Sequence, residues 1–166
     1  LAERPLRYEP GTKWEYSPGL NVVGRVIEVA SGKPYGEFLQ ERIFDPLKMN
    51  TTTFHPNQKQ QARIATLYAK NKDSGELTEA ESWIGNFDTD PYPNPSAGLY
   101  STARDLAKFY GMMLNGGFLG DAKILSRDSV KELTKLQTGD IETGFTPGNG
   151  WGLGYCVVQE PQGVSA

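Results

Sequence analysis

At 166 residues the chain has the length of one domain and enough material to bury a hydrophobic core. Its formal net charge of −3, and lysines and arginines scattered as in Lys70 and Lys72 or Lys131 and Lys135, argue against a nucleic-acid-binding surface. No apolar run approaches the roughly 18 residues of a membrane span. The single cysteine, Cys156, excludes an internal disulfide and a cysteine-based zinc cluster.

With 19 glycines and 11 prolines, the chain is expected to be rich in loops. Residues 1–16 read as loop, with a turn at Pro10-Gly11. A helix is predicted next, with Ser17 as cap and Pro18 in its first turn. Leu20, Val23, Ile27 and Ala30 are spaced along its apolar side, and Gly32 followed by Pro34 closes it. A shorter helix is predicted over about 35–43, ended by Asp45-Pro46. Residues 47–60 are polar and irregular, and 62–70 alternate in part, which predicts a strand. A turn at Asp73-Ser74-Gly75 follows. Residues 82–100 carry four aromatics and three prolines and read as an ordered loop.

Thr102 to Asp105 forms a capping-box pattern, with the acid also placed well for the helix dipole. Leu106, Phe109, Tyr110, Met113 and Leu114 then predict an apolar stripe that Gly116-Gly117 terminates. A further helix opens at Ser126 and runs to about Leu136, and 153–158 reads as a strand. There are no internal repeats. The chain begins at Leu1 and stops soon after this last strand, so it reads as a segment of a longer protein.

Few residues offer chemistry. His55 is the sole histidine and cannot build a metal site by itself; an exposed loop role is expected. Asp88-Thr89-Asp90 lacks the further ligands and glycine of a calcium loop and reads as a polar turn. Cys156, in a predicted strand with no positive neighbours, reads as a small buried hydrophobe. None of the nine serines lies in Gly-x-Ser-x-Gly or Ser-x-x-Lys, and no Lys-Thr-Gly triplet occurs. Composition alone is compatible with an interaction domain. Tyr16 remains. A phenol, with an ordinary pKa of about 10, serves as a base only in a positive surrounding. Lys13 is near in sequence, but read without context Tyr16 is a packing aromatic.

Three ordered blocks change that reading. Residues 9–54 (EPGTKWEYSPGLNVVG through NTTTF), 95–117 (PSAGLYSTARDLAKFYGMMLNGG) and 148–158 (GNGWGLGYCVV) resemble successive segments of the serine β-lactamase-like family. That family comprises class C β-lactamases, D-Ala-D-Ala carboxypeptidases and esterases of the same fold. Pro46-Leu47-Lys48-Met49 resembles its Pro-Leu-Gly-Met-like turn. The resemblance implies an α+β fold, here the mainly helical portion with a few short strands, within a single partial domain over 1–166. Sheet elements from both ends of the family domain are expected to lie outside the chain.

The resemblance also implies a serine acyl hydrolase. In such enzymes the serine of Ser-x-x-Lys attacks an ester or β-lactam carbonyl to give an acyl-enzyme, and the tyrosine of a Tyr-x-Asn motif shuttles the proton. Tyr16 matches that tyrosine and is the expected catalytic residue. Pro18 stands where class C members carry asparagine, and it offers neither a side-chain donor nor an N–H. The replacement favours ester substrates over β-lactams. The intact enzyme is expected to act on a small ester, β-lactam or peptidoglycan-like molecule, without metal or organic cofactor. The family suggests export. The alternative is a non-catalytic penicillin-binding-like module, and the present chain without its Ser-x-x-Lys is expected to be inactive.

Overall fold

The helices start and stop where local chemistry dictates, with informative exceptions. The computed structural model describes residues 5–80, 92–144 and 148–160. The predicted turn at Asp88–Asp90 and the aromatics Trp83 and Phe87 lie outside them. The chain divides into two units, residues 19–107 and residues 1–18 with 108–166.

In the unit 19–107, helix α1 spans Gly19–Ser31 and begins just past Pro18. It closes through the Gly32 N–H, which donates to Glu28 O at 2.9 Å with Gly32 at φ +68°. The predicted stripe is not its buried side. Leu20 and Val23 are half exposed, and the buried residue of the helix is Gly24. A Cβ there would overlap Pro95 Cγ, so this glycine is what lets the loop at 93–96 lie against the helix.

Helix α2 (Tyr35–Leu39) runs directly into a π-helical turn, Gln40–Phe44, in which Asp45 N donates to Gln40 O at 2.9 Å. The helical run thus ends at Phe44, at the predicted stop Asp45-Pro46. The proline ring would crowd the carbonyl four residues back in an α register, and the wider turn immediately precedes it. Phe44, Leu47 and Met49 are buried and form the apolar core of this unit together with the half-buried Ile43.

The polar segment after it contains helix α3 (Gln58–Gln61), which hydrophobic periodicity does not reveal. It is made by a complete capping box between Asn57 and Gln60. The predicted strand at 62–70 is correspondingly shorter: β1 is Tyr68–Lys70, antiparallel to β2, Leu77–Glu79, across the predicted turn with Gly75 at φ +76°. Thr53 and Tyr100 exchange two backbone hydrogen bonds of 2.9 and 2.8 Å.

Helix α4 spans Ala103–Leu114. Thr102 Oγ1 accepts from Asp105 N at 3.3 Å, as the capping pattern predicts. The Asp105 carboxylate is itself buried and accepts from Thr51 N at 2.9 Å, Thr51 Oγ1 at 2.6 Å and Thr52 Oγ1 at 3.1 Å. That tie, across some fifty residues, fixes the start of α4 to the segment behind Met49. The predicted stripe is rotated as well: Met112 and Met113 are buried, whereas Leu106, Tyr110 and Leu114 are exposed.

In the other unit, α4 ends with Gly116 at φ +72° and Gly117 N donating to Met112 O at 2.9 Å, the six-to-one bond of a Schellman closure. A hairpin missed by sequence patterning follows, β3 (Phe118–Leu119) with β4 (Ala122–Lys123). Helix α5 (Arg127–Thr134) is capped by Ser126, whose hydroxyl accepts from Ser129 N at 3.0 Å. The predicted final strand resolves into a hairpin of β5 (Asn149–Trp151) and β6 (Cys156–Val158), with Leu153 in the turn. Cys156 is exposed, not buried, because strand alternation turns Val157 inward and places Cys156 and Val158 outward.

Candidate active site

Tyr16 lies in the extended segment between the Pro10-Gly11 turn and α1. The turn is fixed by Thr12, whose N–H and hydroxyl both donate to Glu9 O, at 3.2 and 2.7 Å, with Gly11 at φ +83°. Beyond it Arg7 pairs with Glu15. The Tyr16 side chain is 73% exposed, so it does not act as a core aromatic in this chain.

Its aromatic neighbour is Trp14, with ring centroids 6.3 Å apart and planes tilted by 52°. Trp14 in turn stacks on Trp151 of β5 at 5.5 Å and 17°. Trp151 is held on both backbone sides: its N–H donates to Thr138 Oγ1 at 3.1 Å, and its carbonyl accepts from Gln137 N at 2.8 Å. The flanking glycines allow this. A Cβ at Gly150 would overlap Leu136 Cδ1, and one at Gly152 would overlap the Leu133 carbonyl. Thr143 is buried and donates to Asn149 O at 3.0 Å, tying the same hairpin to the preceding loop.

Beside this aromatic row lies an open cleft of about 570 Å³, walled by Thr12, Lys13, Trp14, Asp140, Ile141 and Glu142. It brings one cation and two carboxylates to the edge of an indole, a surface suited to a small molecule with an apolar portion and polar ends. For Tyr155, in the same unit, burial, reinforced by the nearby Tyr110 phenol, pushes the pKa up from the ordinary phenol value.

Of the other residues weighed in the sequence, His55 is exposed, and its backbone N–H donates to Thr53 Oγ1 at 3.1 Å. Among the described residues no group of His, Cys, Asp and Glu side chains could hold a metal ion, and no helix is long and apolar enough to cross a membrane. Trp14 and Trp151 were not singled out by sequence reasoning. They are 137 positions apart, and no spacing rule links an aromatic before a helix to one in a distant hairpin.

The family model described as Beta-lactamase matches residues 1–165. The chain belongs to the β-lactamase family. A putative D-alanyl-D-alanine carboxypeptidase of Escherichia coli is 30% identical over 97% of this chain and 39% of that protein. The lovastatin esterase of Penicillium rubens is 41% identical over 46% of this chain and 19% of the esterase. The octameric penicillin-binding protein homologue from Pyrococcus abyssi superimposes with a TM-score of 0.68 at 26% identity, over 90% of this chain and 31% of that one. The α+β expectation holds for this β-lactamase-family chain, with helices and a few short strands on the family fold. It spans about two-fifths of the length of the curated relatives that it matches over nearly its whole extent.

Proposed function

We propose that this β-lactamase-family chain is the middle part of a serine acyl hydrolase domain, with Tyr16 as its proton shuttle. The observation that carries the reading is the position of Tyr16: an exposed phenol just ahead of α1, two residues after the cleft-lining Trp14, in the block that resembles the family's tyrosine loop. In the intact enzyme a serine of the Ser-x-x-Lys type attacks the substrate carbonyl. Tyr16 takes the serine proton and passes it to the leaving group, and water cleaves the acyl-enzyme. Pro18, without a donor for a substrate amide, favours small esters over β-lactams or peptides. No metal or organic cofactor enters this chemistry.

The test is Tyr16→Phe in the intact enzyme, with acylation by a p-nitrophenyl ester followed in single turnovers. Loss of a positioned proton-transfer group should slow acylation by about 10²-fold or more. A near-normal rate would remove Tyr16 from the proton transfer. An intact protein that never acylates would make the chain part of a binding module instead.

A further inference from the structure

We propose that the Trp14–Trp151 stack is the positioning device for Tyr16, so that hairpin β5–β6 sets the rate of proton transfer without touching the substrate. The inference rests on the proposed role of Tyr16 and extends it to two residues in distant parts of the chain.

Tyr16 sits in a stretch without regular secondary structure. A displacement of about 1 Å in a reacting group can cost on the order of 10²-fold in rate, so a shuttle on such a stretch needs external support. A ring that provides it is Trp14, at 6.3 Å. Trp14 is two residues away on the same segment and cannot supply rigidity unless it is itself fixed. The stack supplies that: its planes lie within 17° of parallel, at 5.5 Å from Trp151.

Trp151 is fixed by what lies beneath it. Its backbone bonds to Gln137 and Thr138 seat the strand on the segment leaving α5. Gly150 and Gly152 permit that close approach: a Cβ at Gly152 would overlap the Leu133 carbonyl, and one at Gly150 would require Leu136 to shift. The order of support therefore runs from α5 through the glycine-flanked tryptophan to Trp14 and then to the phenol. Every link lies within one of the two units of the chain.

The experiment uses the intact enzyme and p-nitrophenyl acetate. Trp14→Leu, which keeps apolar volume but removes the stack, should lower kcat by about tenfold to a hundredfold. Trp14→Phe should recover most of that loss. In a Tyr16→Phe background, Trp14→Leu should cost little more, because the group it positions is already gone. Trp151→Leu carries the same expectations from the other side of the stack should Trp14→Leu fold poorly.

Losses that simply multiply in the double variant would overturn the inference, since Trp14 would then act independently of Tyr16. Slowed turnover by Tyr16→Phe beside unchanged turnover by Trp14→Leu and Trp151→Leu would overturn it while leaving the role of Tyr16 standing. Normal turnover by Tyr16→Phe would remove both.

Discussion

Lys48 is the sole residue other than glycine at positive φ among the described residues, at +54°. It stands where the chain departs from the resembled family turn, Pro46-Leu47-Lys48-Met49 in place of Pro-Leu-Gly-Met. Met49 N donates to Phe44 O at 2.8 Å and Lys48 N to Asp45 O at 3.0 Å, the two bonds of a Schellman closure with Lys48 at the left-handed position. Buried Met49 and Phe44 supply the hydrophobic contact that accompanies the motif. Gly32 and Gly116 end their helices at the equivalent position without a Cβ cost; Lys48 bears that cost. A left-handed side chain costs about 1–2 kcal/mol, offset in part by the extra freedom glycine adds to the unfolded chain. Lys48→Gly should therefore raise stability by roughly 0.5–1 kcal/mol in denaturant titrations, and Lys48→Val should lower it.

At the scale of the element, α1 works through polar and small residues more than through its apolar ones. Asn21, Gly24 and Glu28 recur at three and four positions and share a face. Asn21 Oδ1 accepts from Ser96 N at 2.9 Å, Gly24 admits Pro95, and Glu28 Oε1 accepts from Tyr35 N at 3.1 Å. The Arg25 guanidinium first, then the Tyr92 hydroxyl and the Tyr35 N–H, hold the Glu28 carboxyl below its ordinary range. The same bond pushes the Tyr92 phenol up.

A carboxyl whose pKa is lowered on folding contributes stability above its unfolded pKa, and loses it as pH falls through the folded value. Denaturation midpoints should accordingly drop as the medium is acidified below the ordinary carboxylate range. Glu28→Gln should be less stable at neutral pH and should flatten that acid limb. An acid limb identical to that of the unaltered protein would show that Glu28 does not contribute to it.

At the scale of the whole molecule, the proposed function divides the chemistry between this chain and residues it does not contain. The family reading asks for a nucleophile in Ser-x-x-Lys, and none of the nine serines has a lysine three residues on. Tyr16 alone cannot form an acyl-enzyme. The 166-residue chain by itself should neither turn over a chromogenic cephalosporin or p-nitrophenyl ester nor gain an acyl mass in the mass spectrometer. Stoichiometric acylation of this chain would mean that another of its side chains is a nucleophile.

The sequence by itself determined where helices begin and end, because caps and terminators are local. Ser126 and Thr102 accept the N–H bonds their positions predict, and Gly32 and Gly116 close α1 and α4 at positive φ. It also carried the family, through ordered blocks along most of the chain. What it could not determine was which side of each helix would be buried. Periodicity marks an apolar side, but burial needs a partner surface; α1 meets Pro95 at a glycine, and α4 buries Met112 in place of Leu106. Helix α3 escaped notice because a polar capping box made it, without an apolar stripe. Only the tertiary structure brought Trp151 onto Trp14 beside Tyr16, and the physical reason is the same: stacking depends on where the chain returns in space, which no local pattern encodes.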